Sequence, residues 1–228
     1  MAQPTFDADA LITMFEQASA RQGAQLKKAV GDATLAALQG RELTLKNIRG
    51  TLKAVAEAAS AGAARNVVPG VDAGALLDRA VAGMDDALLK AVQANRVALE
   101  KLVAQGADLR EKHVKKALDD LDRFEDTMFA ALKKTAAGVE GPLAGAWDQV
   151  LQKMQAGGTV SGAQAAQTVE QLAEQMQGAM RSTRAASVRA AQALAESYTA
   201  MVSGVLIGMA DALQGTAPAP AAKKAAQR

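Results

Sequence analysis

Few residues in this sequence are of a type and spacing that could do chemistry. His113 is the single histidine, and Lys112, Lys115 and Lys116 around it disfavour its protonated form, so it reads as a seam residue rather than a catalytic base. Asp119, Asp120, Asp122, Glu125 and Asp126 gather negative charge. A helix spreads them round its axis, however, and sets Lys115 against Asp119, Lys116 against Asp120 and Asp119 against Arg123 at i,i+4 spacing. That pattern describes a solvated, self-paired face. There is no Cys, which removes disulfides, thiolate catalysis and cysteine metal sites and is compatible with a reducing cytoplasm. No glycine pattern follows a strand and opens a helix, so no phosphate loop or dinucleotide fingerprint is present. The expectation is a non-enzymatic chain with no catalytic, cofactor-binding or metal-binding residue.

Surfaces are the better candidates. Thr44 can open a helix that places Leu45, Ile48, Leu52, Val55 and Ala59 on one face and Lys46, Arg49 and Lys53 on a neighbouring one, a basic amphipathic pattern. Between Arg21 and Arg65 stand eight basic residues, at 21, 27, 28, 41, 46, 49, 53 and 65, against acidic residues at 32, 42 and 57. This segment reads as a solvated face, as a contact for an anionic lipid surface or acidic partner, or as a nucleic-acid patch. The last reading is disfavoured, because the formal net charge is only +2 and the segment lacks stacking aromatics. Near the other end, Met201, Val205, Leu206 and Met209 form a second apolar face. Val205-Leu206-Ile207 is too apolar for the solvent side of a monomer, and methionines suit adaptable contacts. Trp147, the single Trp, sits on a short helix where it can plug a bundle or anchor an apolar surface; plugging is favoured.

The elements that position these residues are all helical. Apolar residues make up 50% of the chain but aromatics only 3%, and roughly a quarter of the residues are Ala, which favours helix. Helices are expected near 7–39, 44–65, 72–139, 142–156 and 161–214, about five in all. Asp7 or Asp9, Thr44, Asp72 and Ser161 are the expected caps, and breaks fall at Pro69-Gly70, Gly141-Pro142 and Gly157-Gly158. The span 72–139 reads as one very long helix, with Gly106 as the candidate place for a kink, and with a stripe of Leu77, Val81, Met84, Leu88, Ala91, Asn95, Leu99, Leu102, Gly106, Leu109, His113, Ala117, Leu121, Phe124, Met128 and Leu132, repeating at about 3.67 residues. The last helix carries Val169, Leu172, Met176, Met180, Thr183, Ser187, Ala191, Leu194, Tyr198, Val202, Val205, Met209 and Leu213 at the same period, so the two long helices can pack side by side.

These pieces predict an all-α, elongated bundle of long amphipathic helices with coiled-coil-like packing. A single domain spans 1–216, and a disordered Ala/Pro/Lys tail spans 217–228. With so much Ala, the apolar edges are expected to be too shallow for a self-sufficient monomer, and a homo-oligomer follows. Met1 to Asp9 shows no basic stretch followed by an apolar run, so no signal peptide is expected. Ala200 to Leu213 is too short for the ~20 residues of a spanning helix and contains Asp211, so no transmembrane segment is expected.

The Cys-free, Ala-rich composition, the stretch from Phe6 through Phe15 to Leu38, the long amphipathic helices and the 217–228 tail resemble the phasins, helical proteins that coat bacterial polyhydroxyalkanoate granules. The segment Leu43-Thr44-Leu45-Lys46-Asn47-Ile48-Arg49-Gly50 departs from that pattern. The resemblance implies a cytoplasmic, granule-associated protein that adsorbs to polyester or lipid through Leu45, Ile48, Leu52, Val55, Met201, Val205, Leu206 and Met209. The alternative is a self-associating coiled-coil scaffold or adaptor with no granule or lipid role. A third reading is a membrane-active protein whose Ala200 to Leu213 segment inserts.

Overall fold

The computed structural model describes residues 6–38, 44–104 and 112–182. The first helix, α1 (Ala8–Glu16), starts where Asp7 accepts a hydrogen bond from the Ala10 N–H at 2.9 Å, and it buries Leu11 and Phe15. It does not run on to residue 39 as expected. Ser19 and Gln22 form a capping box around a single 3-10 turn, Ala20–Gln22, and α2 (Gly23–Leu38) follows. The break is held open from outside. Asn66 donates its side-chain N–H groups to the carbonyls of Phe15 (2.8 Å) and Ala18 (2.9 Å), beside the end of α1 where helical partners run out.

Helix α3 (Leu45–Arg65) matches the expected 44–65, with the Thr44 hydroxyl capping the Asn47 N–H. The reversal after it also follows the sequence: Gly70 takes φ +76°, and Asp72 accepts from the N–H groups of Gly74 and Ala75. Helix α4 (Ala73–Ala104) then runs back along α2, beside which it is seated through Arg79 near Gly23, Gly83 near Lys27 and the ion pair Lys27–Asp86 at 2.7 Å.

The single long helix expected over 72–139 is not what forms. Helices α5 (Lys112–Asp122) and α6 (Phe124–Ala136) meet at a kink at Arg123, and together they run antiparallel to α4. In a straight helix Asp85 and Glu125 would stand about 60 Å apart at 1.5 Å per residue. Instead both hydrogen-bond the same two-residue stretch of backbone, Glu125 at Thr159 and Asp85 at Val160. Where it can be followed, the expected stripe is buried: Leu77, Val81, Met84, Leu88, Ala91, Asn95, Leu99, Leu102, Ala117, Leu121, Phe124, Met128 and Leu132 all lie inside, while Gly106 and Leu109 fall outside the described residues.

Gly141, at φ +74°, and Pro142 open α7 (Pro142–Gly157), whose inward face is the expected Leu143, Trp147, Val150, Leu151 and Met154. After Gly158, at φ +66°, α8 (Val160–Ser182) continues along α4. The advance from the Lys153–Asp78 pair to the Val160–Asp85 bond fixes the common direction of α7, α8 and α4. The chain therefore alternates in direction through α1, α2, α3, α4, α5–α6 and α7–α8. These are more and shorter helices than the five expected.

One apolar cluster joins side chains from all eight described helices. Leu26, Leu38, Leu52, Leu77, Met84, Leu88, Leu99 and Trp147 are among those fully buried. The thin interior inferred from composition is thus corrected. Several helices of the same chain surround α3 and α4 with neighbours, and small residues let them close up. A methyl group added at Gly62 would stand 2.5 Å from both the Ile12 carbonyl oxygen and the Phe15 Cβ. One added at Gly83 would be driven into the Lys27 carbonyl. Ala and Gly here exchange side-chain bulk for close backbone approach, which restores packing density.

Candidate apolar surface and basic face

Helix α3 sorts its residues as the spacing implied. Lys46, Arg49 and Lys53 are exposed, while Ile48, Leu52 and Val55 are buried and Leu45 is half-buried. The destination of the apolar face differs from the expectation. It is covered by α1, α2, α4 and α6 of the same chain, so Ile48, Leu52 and Val55, at 2%, 0% and 0% exposure, are not offered to an outside surface. Met201, Val205, Leu206 and Met209 lie outside the described residues, as do the seam beyond Ser182 and the 217–228 tail.

The positive segment is partly neutralised. Lys27 pairs with Asp86, Lys28 with Asp32 at 2.6 Å and Lys53 with Glu57 at 3.7 Å. Exposed pairs of this kind contribute about 0–1 kcal/mol each. They do, however, temper the local field that a polyanion would meet. A groove of about 250 Å³ between α2 and α4 is lined by Lys27, Lys28, Asp32, Asp86 and Lys90, so both signs of charge border it. His113 lies on the first turn of α5. Among the described residues, no three His, Asp or Glu side chains converge in a way that could hold a metal ion, and no helix is long and apolar enough to cross a membrane.

Trp147 plugs the bundle. It is fully buried, and its indole N–H donates to the Ser60 hydroxyl at 3.0 Å, which in turn donates to the Ala56 carbonyl at 2.8 Å. This joins α7 to α3 by a bond that Trp composition alone does not announce.

One constellation escaped the sequence reading altogether. Glu125 does not belong to the solvated acidic face. Its Oε1 accepts from the Thr159 N–H at 2.7 Å and the Thr159 hydroxyl at 3.1 Å. Asp85 accepts from Val160 and Ser161, each at 3.0 Å. Ser161, the expected cap of the last helix, has a buried hydroxyl without a partner. Thr159 is the local cap instead, accepting from the Gly162 N–H at 3.0 Å. The available signal was weak: Gly157-Gly158-Thr159 marks a helix start, but nothing in it points to carboxylates 34 and 75 residues away.

A protein-family model, described as a family of unknown function (DUF6781), matches residues 1–215. The chain belongs to the DUF6781 family. The part shared with that family takes in all eight described helices and the apolar residues at 201–209, and it stops before the Ala/Pro/Lys tail. No curated protein and no solved structure is similar enough to match.

Proposed function

We propose that this DUF6781 protein is a non-enzymatic, phasin-like coat of intracellular polyester granules, with a folded helical body and a separate apolar contact. The observation that carries the proposal is the apolar stripe Met201, Val205, Leu206 and Met209 in the family-shared part of the sequence. Val205-Leu206-Ile207 is more apolar than a solvent face tolerates, and those side chains call for a surface to cover them. In this reading Leu45, Ile48, Leu52 and Val55 act within the body, where they hold α3 in place. Lys46, Arg49 and Lys53 face water and keep coated particles apart. Moving a handful of Leu, Ile, Val and Met side chains from water onto polyester would contribute on the order of 10 kcal/mol before ordering costs.

The test is partitioning of the full chain onto polyhydroxybutyrate particles. Wild type is expected to adsorb, and Val205→Asp with Leu206→Asp to remain in solution with an unchanged melting temperature. The second reading is a self-associating coiled-coil scaffold, supported by the 3.67-residue repeat that runs on through Val202 and Val205. It predicts indifference to polyester and a salt-stable oligomer that the same double substitution dissociates.

A further inference from the structure

An α-helix has free N–H groups only in its first turn, where no preceding carbonyl is placed to bind them. The start of a helix is therefore a unique point along its axis. In α8 that point is held by residues of two other helices. The Asp85 carboxylate of α4 accepts from Val160 and Ser161, one oxygen to each, and Glu125 of α6 accepts from the N–H and the hydroxyl of Thr159. The Thr159 hydroxyl in turn accepts from the Gly162 N–H. Gly162 is also the notch in which Glu125 sits, because a methyl group there would lie 2.5 Å from its carboxyl carbon.

Helix α8 packs on α4, α5 and α6, and among the described helices it is the principal partner of α5. That packing does not by itself set where along α4 it sits. The buried residues of α8, Ser161, Gly162, Ala165, Thr168 and Leu172, are mostly small and follow one another at helical spacing. A shift of one turn would bring Ala165 to the place of Ser161 and Leu172 to that of Thr168, so the contact would keep its character. The connection to α7 leaves the same freedom. Gly158 stands at φ +66°, and two residues passing between extended and helical backbone change their span by about 4 Å, most of the roughly 5.4 Å of one turn. The bonds discriminate where the seam does not. After such a shift Asp85 and Glu125 would face N–H groups already engaged inside the helix, and Ala166 would bring a methyl group against the Glu125 carboxylate.

We infer that Asp85 and Glu125 are positioning residues that fix the axial and rotational setting of α8 on α4 and α6, and through α8 the seat of α5. Two carboxylates from two helices define both coordinates, since one alone would leave α8 free to turn about the bond. The inference does not depend on the granule reading.

The chain has no Cys, so spin labels can be placed in the full-length protein at Gln152→Cys on α7 and Ala173→Cys on α8, both exposed positions. The Lys153–Asp78 and Val160–Asp85 contacts advance together, from 153 to 160 on one side and from 78 to 85 on the other. Helices α7 and α8 thus follow one line, and a shift of α8 passes almost fully into a label separation of roughly 32 Å. Pulsed electron paramagnetic resonance is expected to give one narrow distance in the otherwise wild-type protein. Asp85→Ala with Glu125→Ala should add a second population displaced by about 5 Å, one helical turn. A merely stabilising role would lower the melting temperature and leave the distance unchanged. That result, or two distances in the wild-type background, would overturn the inference. Should the double variant fail to fold, as reported by Trp147 emission, Asp85→Ala alone decides the matter: the displaced population is expected there too, and a single unchanged distance counts against the inference.

Discussion

Helices α3 and α8 are each approached by another part of the chain at a glycine, yet the approaching groups are of opposite kinds. At Gly62 the intruder is backbone and an aromatic side chain of α1, and α3 around it buries Ile48, Leu52, Val55, Ala56 and Ala59. At Gly162 the intruder is the Glu125 carboxylate, and its bonds are to the backbone N–H and hydroxyl of Thr159. The same small residue therefore serves dispersion in one region and capping in the other. Dispersion contacts accumulate and resist opening, whereas a cap is made or lost in one step.

The comparison can be broken most forcefully at the centre of α3. Leu52→Ala removes a wholly buried side chain and should cost about 2–5 kcal/mol in chemical denaturation. A loss under about 1 kcal/mol would mean that α3 is not anchored through its buried face. Gly62→Ala comes next, with a destabilisation of about 1–3 kcal/mol from overpacking against α1 that outweighs the gain in helix propensity. Asn66→Ala takes away the donors to Phe15 and Ala18 and should cost about 1–2 kcal/mol, with the added exchange confined to α1 and the turn after it. The smallest effect sharpens the contrast within α3 itself. Gly50 is exposed with nothing near its missing side chain, so Gly50→Ala should raise stability by about 0.5–1 kcal/mol, opposite in sign to the change at Gly62.

Much of the local structure was legible in the residues. The Thr44 and Asp72 caps, the Pro69-Gly70 and Gly141-Pro142 turns, the inward face of α7 and the stripe on α4, α5 and α6 are read from short-range spacing, and the structure bears them out. What failed was continuity. No proline interrupts 72–139, and the return path of α5–α6 is fixed by tertiary contacts to α3 and α8, which a helical period cannot register. The split of 7–39 depends on Asn66, forty-eight residues from the Ala18 carbonyl it serves. Composition misled most. So much Ala implies shallow interfaces, whereas Gly62 and Gly83 convert small side chains into close crossings. The candidate surface residues divided accordingly: those on α3 belong to the core, and those at 201–209 fall outside the described residues.

The bond from Trp147 to Ser60 gives the molecule its own optical gauge. A lone indole enclosed by apolar neighbours emits at short wavelength and is shielded from iodide, and the chain has no second Trp to blur the signal. Its fluorescence therefore follows the α3–α7 joint alone. Emission that stays blue while the end of the chain rearranges would time the two events separately in a single cuvette, with no label attached.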